Sequence, residues 1–305
     1  MITNRIAIFA AAAGFLGMAG LALAKEKGES GMSEYTKGNQ FFEAKQYEQA
    51  VAEFAKAIEA NSKQPAFYEN RGFAYIALEK GTEGAADFSK AIELAPKDER
   101  AYLGRTQASL LQKDYGQALA DASKAIELKP DNAVAYKFRG FAEIGLSQWD
   151  KAVTDFTTAT QKNPDDPQNY DRRAWASRNL KNYEAAVADY TTLIEKNPAD
   201  AEALVKRGAT YTAMMQYEKA IADYQAAQKL NPQDNDTFQR LQYAQGMLAA
   251  KNAPPPTATP SPTPEKPGLI TPLNIGIAIA VLLIIAIIWR LVTRGKIEET
   301  SGRIR

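Results

Sequence analysis

The sequence predicts an all-α solenoid, and three observations carry that prediction. Between Gly31 and Asp234 the chain repeats itself six times at a spacing of 34 residues, and a fixed period of that length marks stacked supersecondary units. Each unit holds two apolar stripes at helical spacing, such as Tyr68, Ala74 and Tyr75 and then Ala85, Phe88, Ala91 and Ile92, parted by a short break rich in Lys, Gly and Glu. No stretch alternates apolar and polar residues as a strand would.

The phase comes from the second half of each unit, where a small residue, an aromatic, a second small residue and a proline recur. They are Gly84, Phe88, Ala91 and Pro96 in the second unit, Ala152, Phe156, Ala159 and Pro164 in the fourth, and Ala220, Tyr224, Ala227 and Pro232 in the sixth. The units are therefore 31–64, 65–98, 99–132, 133–166, 167–200 and 201–234. Each reads as a helical hairpin. Gly38, Gly72, Gly140 and Gly208, at the eighth residue of their units, fall inside the first helix. Glycine costs about 1 kcal/mol relative to alanine there, so close approach of the paired backbones is the expected compensation. The proline near the end of each unit stops the second helix. Residues 236–251 then place Phe238, Leu241 and Met247 at roughly helical spacing with polar residues between, which predicts a helix that caps the last hairpin.

These residues resemble the tetratricopeptide repeat, whose pattern has a bulky residue at position 4, small residues at 8, 20 and 27, aromatics at 11, 17 and 24, and proline at 32. Position 20 reads Ala50, Gly84, Ala118, Ala152, Ala186 and Ala220, and position 27 reads Ala57, Ala91, Ala125, Ala159, Leu193 and Ala227. Glu34 and Ser62 depart from the pattern in the first unit, as terminal repeats usually do. The resemblance implies a right-handed superhelix that binds protein partners along its concave face.

Apolar segments bracket the array. Residues 1–24 combine Arg5, an apolar run from Ile6 and the triplet Ala22-Leu23-Ala24 before Lys25-Glu26-Lys27, the shape of a cleaved signal peptide, with an uncleaved anchor as the alternative. Residues 273–292 hold an uninterrupted apolar core from Ile275 to Trp289, and twenty residues at about 1.5 Å rise reach the roughly 30 Å of a bilayer core. A single transmembrane helix is expected, with the basic tail 293–305 cytoplasmic because Arg294, Lys296, Arg303 and Arg305 lie on that side. Between array and membrane, residues 252–270 include Pro254-Pro255-Pro256 and Pro260-Ser261-Pro262-Thr263-Pro264, the composition of a semi-rigid spacer. The array is thus expected outside the cytoplasm, in a periplasm or an equivalent space.

Composition excludes several function classes. The chain has no cysteine and no histidine, which removes thiol nucleophiles, imidazole bases and zinc sites of the usual ligands. Its net charge is +1, without the basic surplus that nucleic-acid binding requires. No cofactor or metal is expected, and no enzyme activity, since the acids fall at fixed repeat positions rather than converging.

Position 7 is basic in every unit (Lys37, Arg71, Arg105, Arg139, Arg173, Arg207), and position 23 is acidic in every unit (Glu53, Asp87, Asp121, Asp155, Asp189, Asp223). The matched columns predict structural ion pairs; whether they close within a repeat or across to a neighbour is open from sequence. Some tetratricopeptide domains grip a C-terminal carboxylate with Lys and Asn from one repeat, Asn from the next, and Lys and Arg from the third. Asn39, Asn70 and Arg100 fall on three of those positions, but Tyr35 and Gly104 replace two of the cations, so that clamp is not expected. The groove is expected instead from Tyr35, Asn39, Phe42, Phe73, Ile76, Gln107, Leu110, Phe141, Ile144 and Trp175. Phe73, Phe141 and Trp175 share position 9 and should form an accessible apolar strip, the mark of a partner site. Self-assembly is the alternative, with Gly276 and Ala280 as a weak small-residue face in the apolar helix.

Overall fold

Residues 30–253, 279–287 and 289 are described by the computed structural model of the chain. They divide between two compact units, one ending at Lys251 and one starting at Asn252. The first unit is a row of helical hairpins. α1 (Met32–Glu43) pairs with α2 (Tyr47–Ala60), α3 (Pro65–Ala77) with α4 (Gly81–Leu94), and α5 (Glu99–Leu111) with α6 (Tyr115–Leu128). α7 (Ala133–Gly145) pairs with α8 (Trp149–Lys162), α9 (Pro167–Asn179) with α10 (Tyr183–Lys196), and α11 (Ala201–Ala213) with α12 (Tyr217–Leu230), before α13 (Asn235–Asn252) closes the row.

Side-chain caps fix the starts of six of the helices. Asp98, Asn132, Asp166 and Asp200 cap the first helices of their hairpins by accepting a backbone N–H, and Asp114 and Asn182 do the same for α6 and α10. The turn inside every hairpin is a Schellman closure. In the first, the Lys45 N–H donates to the Phe42 carbonyl and the Gln46 N–H to the Phe41 carbonyl. Its left-handed residue is never glycine here: Lys45, Glu79, Lys113, Ser147, Lys181 and Met215 all lie at φ of 57–60°.

The core explains the helical glycines differently from the expected backbone approach. The aromatic at position 24 lies on the glycine at position 8, so a Cβ on Gly72, Gly140 or Gly208 would sit 2.9 Å from the ring of Phe88, Phe156 or Tyr224. A ring, rather than a neighbouring backbone, occupies the space. Phe54, Phe88 and Phe156 are completely buried this way. The third repeat reverses the sizes, placing Thr106 at position 8 and Ala122 at position 24, both fully buried.

α13 covers the last hairpin through Leu241 and Ala244, which pack on Ala220 and Tyr224. Phe238 is exposed together with Tyr243. Asp234 caps this helix, bonding the Thr237 hydroxyl at 2.6 Å and the Asp236 N–H at 3.1 Å. Thr237, at the start of the helix, lies on the buried stripe with Leu241 and Ala244, and Phe238 falls outside it.

In the second unit, residues 279–287 are helical and expose Ile279, Val281, Leu282, Leu283, Ile284, Ile285 and Ile287. Among the described residues no helix is long and apolar enough to cross a membrane. The expected signal segment, the basic tail, most of the proline-rich spacer and much of 273–292 lie outside the described residues.

Candidate functional site

The first helices of successive hairpins also touch each other, α1 with α3, α3 with α5 and α5 with α7. Their packing puts them on the inner side of the row, and the residues they present there form the candidate site.

At its N-terminal end a polar network joins three repeats. The Asn70 side-chain amide donates to the Tyr35 hydroxyl at 2.9 Å and to Asn39 Oδ1 at 2.7 Å, while Arg100 donates to Asn70 Oδ1 at 3.0 Å. Arg100 also lies 3.5 Å from the buried Glu69 carboxylate and 5.2 Å above the Phe73 ring. Tyr35, Asn39, Asn70 and Arg100 therefore meet, although their hydrogen bonds are directed at one another. Burial, reinforced by the charge of Asp98, pushes the Glu69 carboxyl up to about 7. Gly104 offers nothing to a ligand, being packed against Phe88.

The apolar residues are less accessible than the sequence suggested. Phe73 and Phe141 are half-buried, standing edge-on to core Phe88 and Phe156 at centroid distances of 4.9 and 5.5 Å. Position 9 adjoins the glycine on which the core ring lies, so an aromatic at 9 reaches that ring and presents only its far face outward. Trp175 is different. Its own repeat carries Ala174 at position 8, and its indole stands edge-on to Trp149 at 5.1 Å with 37% of its surface exposed. Phe42, Ile76, Gln107, Leu110 and Ile144 are all half-buried; Phe42 meets Tyr47 at 5.4 Å, and Ile144 joins Phe141 and Trp149 on the Phe156 cluster.

The charged columns pair inside their own repeats. Arg71 donates through Nε and Nη2 to both carboxylate oxygens of Asp87 at 2.8 and 2.7 Å. The same two-pronged geometry joins Arg105 to Asp121, Arg139 to Asp155, Arg173 to Asp189 and Arg207 to Asp223. Three of these arginines also reach the preceding repeat, at the hydroxyls of Ser89, Thr157 and Thr191. In the first repeat Glu53 pairs with Lys56 instead of Lys37. The hydrogen bonds push the five arginines up, whereas burial pushes Asp87 and Asp189 up despite their partners.

Two features go beyond what the sequence pattern predicts. Glu143 is only 4% exposed, and its Oε2 has no hydrogen-bond partner. Burial, then the neighbouring Asp155, drives its carboxyl up to about 7 against the pull of Arg139 and Lys151. The signal was present, because Glu143 stands at position 11, where Phe41, Tyr75 and Tyr211 occupy other repeats. The second feature is the pair Arg172 and Arg178 on either side of Trp175. Arg172 lies 5.8 Å from the Phe141 centroid, and the Nε atoms of both arginines lack hydrogen-bond partners.

A row of helical hairpins with an aromatic and charged inner face defines a repeat scaffold of the protein-interaction class. Sequence patterns described as Tetratricopeptide repeat match residues 74–133, 167–200 and 201–234, and one described as TPR repeat matches 38–79. Together they span more than half of the chain, which belongs to the tetratricopeptide repeat family. Among solved structures, YrrB, a TPR protein with an unusual peptide-binding site, is similar at 22% identity over 63% of this chain and 97% of its own, with a TM-score of 0.54. PilF of Pseudomonas aeruginosa aligns at 15% identity over 71% of this chain and 96% of its own, with a TM-score of 0.59. A tetratricopeptide repeat protein of Parabacteroides merdae aligns at 19% identity over 70% and 84%, with a TM-score of 0.52. At these identities the likeness is one of fold. No curated protein matches the chain.

Proposed function

We propose that the chain is a membrane-tethered, extracytoplasmic scaffold that seats a segment of a partner protein on the inner face of its repeats. The observation that carries this reading is Trp175, a large aromatic exposed on the inner helix α9 beside the half-buried Phe141 and Ile144. Such anchors concentrate binding energy when a partner covers them. The family commonly acts by holding protein partners, and the unusual peptide-binding site of YrrB is in keeping with that. The tether rests on the apolar run 275–289 with its basic tail, and the location on the signal-like segment 1–24 and the Pro-rich spacer.

One experiment addresses site and compartment together. A lysine-reactive crosslinker that does not pass the cytoplasmic membrane is applied to cells making the full-length chain or its Trp175→Ala variant, and captured proteins are identified by mass spectrometry. The wild type should yield a defined partner, and the variant should lose roughly thirtyfold in affinity, as expected for about 2 kcal/mol at a central aromatic. Labelling only after the membrane is opened would overturn the location. Equal capture by a folded Trp175→Ala chain would overturn the site.

A further inference from the structure

We infer that the segment seated across repeats four and five presents an acidic side chain next to a bulky apolar one; this rests on the groove reading above and gives it a partner chemistry. Unmatched charge on the inner face points to that chemistry. Most cations near this face already have a carboxylate: Arg100 has Glu69 at 3.5 Å, Lys137 has Asp166 at 2.8 Å, and Lys206 has Asp171 at 2.5 Å and Glu202 at 2.8 Å. Arg172 and Arg178 are matched less closely. Arg172 has Asp171 3.6 Å from its Nε and feels Glu202 at longer range, but Lys206 holds both carboxylates closer, at 2.5 and 2.8 Å. Arg178 forms no ion pair among the described residues; it faces the Tyr190 hydroxyl, and its Nε is shut from solvent without a partner.

The two guanidinium groups flank the exposed indole. Residues 172, 175 and 178 follow one another at intervals of three on α9, which places Trp175 midway between the arginines within about 120° of helix arc. Arg172 leans back over the Phe141 ring, so its charge lies between the aromatic groups of repeats four and five. A partner that covered Trp175 with an apolar side chain alone would strip water from both arginines and return nothing, which is a large cost for a charged donor. A carboxylate one or two residues from that apolar group would offset this loss and complement the surplus of Arg172, Arg178 and Lys206 over Asp171 and Glu202.

The test uses synthetic ten-residue peptides with a central Phe or Leu flanked by Asp and Glu, by Asn and Gln, or by Lys, arrayed and probed with the purified full-length chain. The acidic set should be retained at least tenfold better than the neutral set, and the Lys set least. The preference should shrink in high salt, as a charge-driven contact requires. Arg172→Gln with Arg178→Gln should abolish it without altering the melting curve, and Arg172→Glu with Arg178→Glu should turn it toward the Lys set. Equal retention of all three sets overturns the inference; if that retention still needs Trp175, the groove reading stands and only the charge preference is lost. Retention of none overturns the inference as well, and leaves the groove to the crosslinking result.

Discussion

Glu143 shows how one side chain departs from the logic of its repeat. Position 11 holds an aromatic in three repeats and serine in two, whereas here a carboxyl lies buried beside the Arg139–Asp155 pair. Its folded pKa is raised to about 7 from 4.5, so the folded chain holds this proton more tightly than the unfolded chain does. The associated stability is complete below about pH 4.5 and is lost as pH rises through 7, and Glu69 follows the same course. Glu202 and Asp234 are shifted down and act the other way, but only below about pH 4.5. Denaturant unfolding should therefore show the array less stable at pH 8 than at pH 5.5 by about 2 kcal/mol or more. Glu143→Gln should raise stability at pH 8 and flatten the curve, leaving the share of Glu69. A curve that keeps its full slope in the variant would mean that Glu143 is ionised in the fold throughout.

At the scale of the element, each hairpin from the second to the sixth is held by one two-pronged Arg–Asp pair, joined in all but the third by aromatic-on-small packing. Such a pair contributes little net when intact, because desolvation offsets attraction, but breaking it strands a charge. Burial already raises Asp189 in spite of Arg173. Arg173→Ala should then cost about 2–3 kcal/mol at pH 7.5 in denaturant unfolding, and less near pH 5, where Asp189 can take up a proton. An unchanged midpoint at both pH values would reduce the column to surface decoration. The period, the hairpins and the two charged columns were legible because a solenoid imposes each requirement six times over. The pairing partner was not, since position 23 recurs at equal intervals and sequence cannot distinguish the same repeat from the next. Likewise spacing gave Phe73 and Phe141 a shared repeat position and the family resemblance put that position on the inner face, but their tilt onto Phe88 and Phe156 depends on the glycine at position 8 and the ring placed above it. Arg172 and Arg178 were missed because an unsatisfied donor is defined by what surrounds it in space.

Across the whole array, each hairpin meets only its neighbours, so stability should be a chain of local terms rather than a single shared core. The last hairpin has α13 where the others have another repeat. Leu241 is the main apolar contact of that cap, 7% exposed and packed with Ala244 on Ala220 and Tyr224. Leu241→Ala keeps the helix-forming tendency of α13 and removes the contact, for about 2 kcal/mol, the low end for a buried leucine because the site lies near the surface. In an array built of neighbour contacts, that loss falls on the hairpin it covers. Hydrogen exchange should accelerate by about thirtyfold in α12 and α13, while the amides of α3 and α4, four repeats away, keep their protection. In a single cooperative domain the same substitution would speed exchange of the slowest amides everywhere by one common factor. A uniform loss of protection from α3 to α13 would therefore show that the repeats unfold together, and that the interfaces between hairpins outweigh the stability of the hairpins themselves.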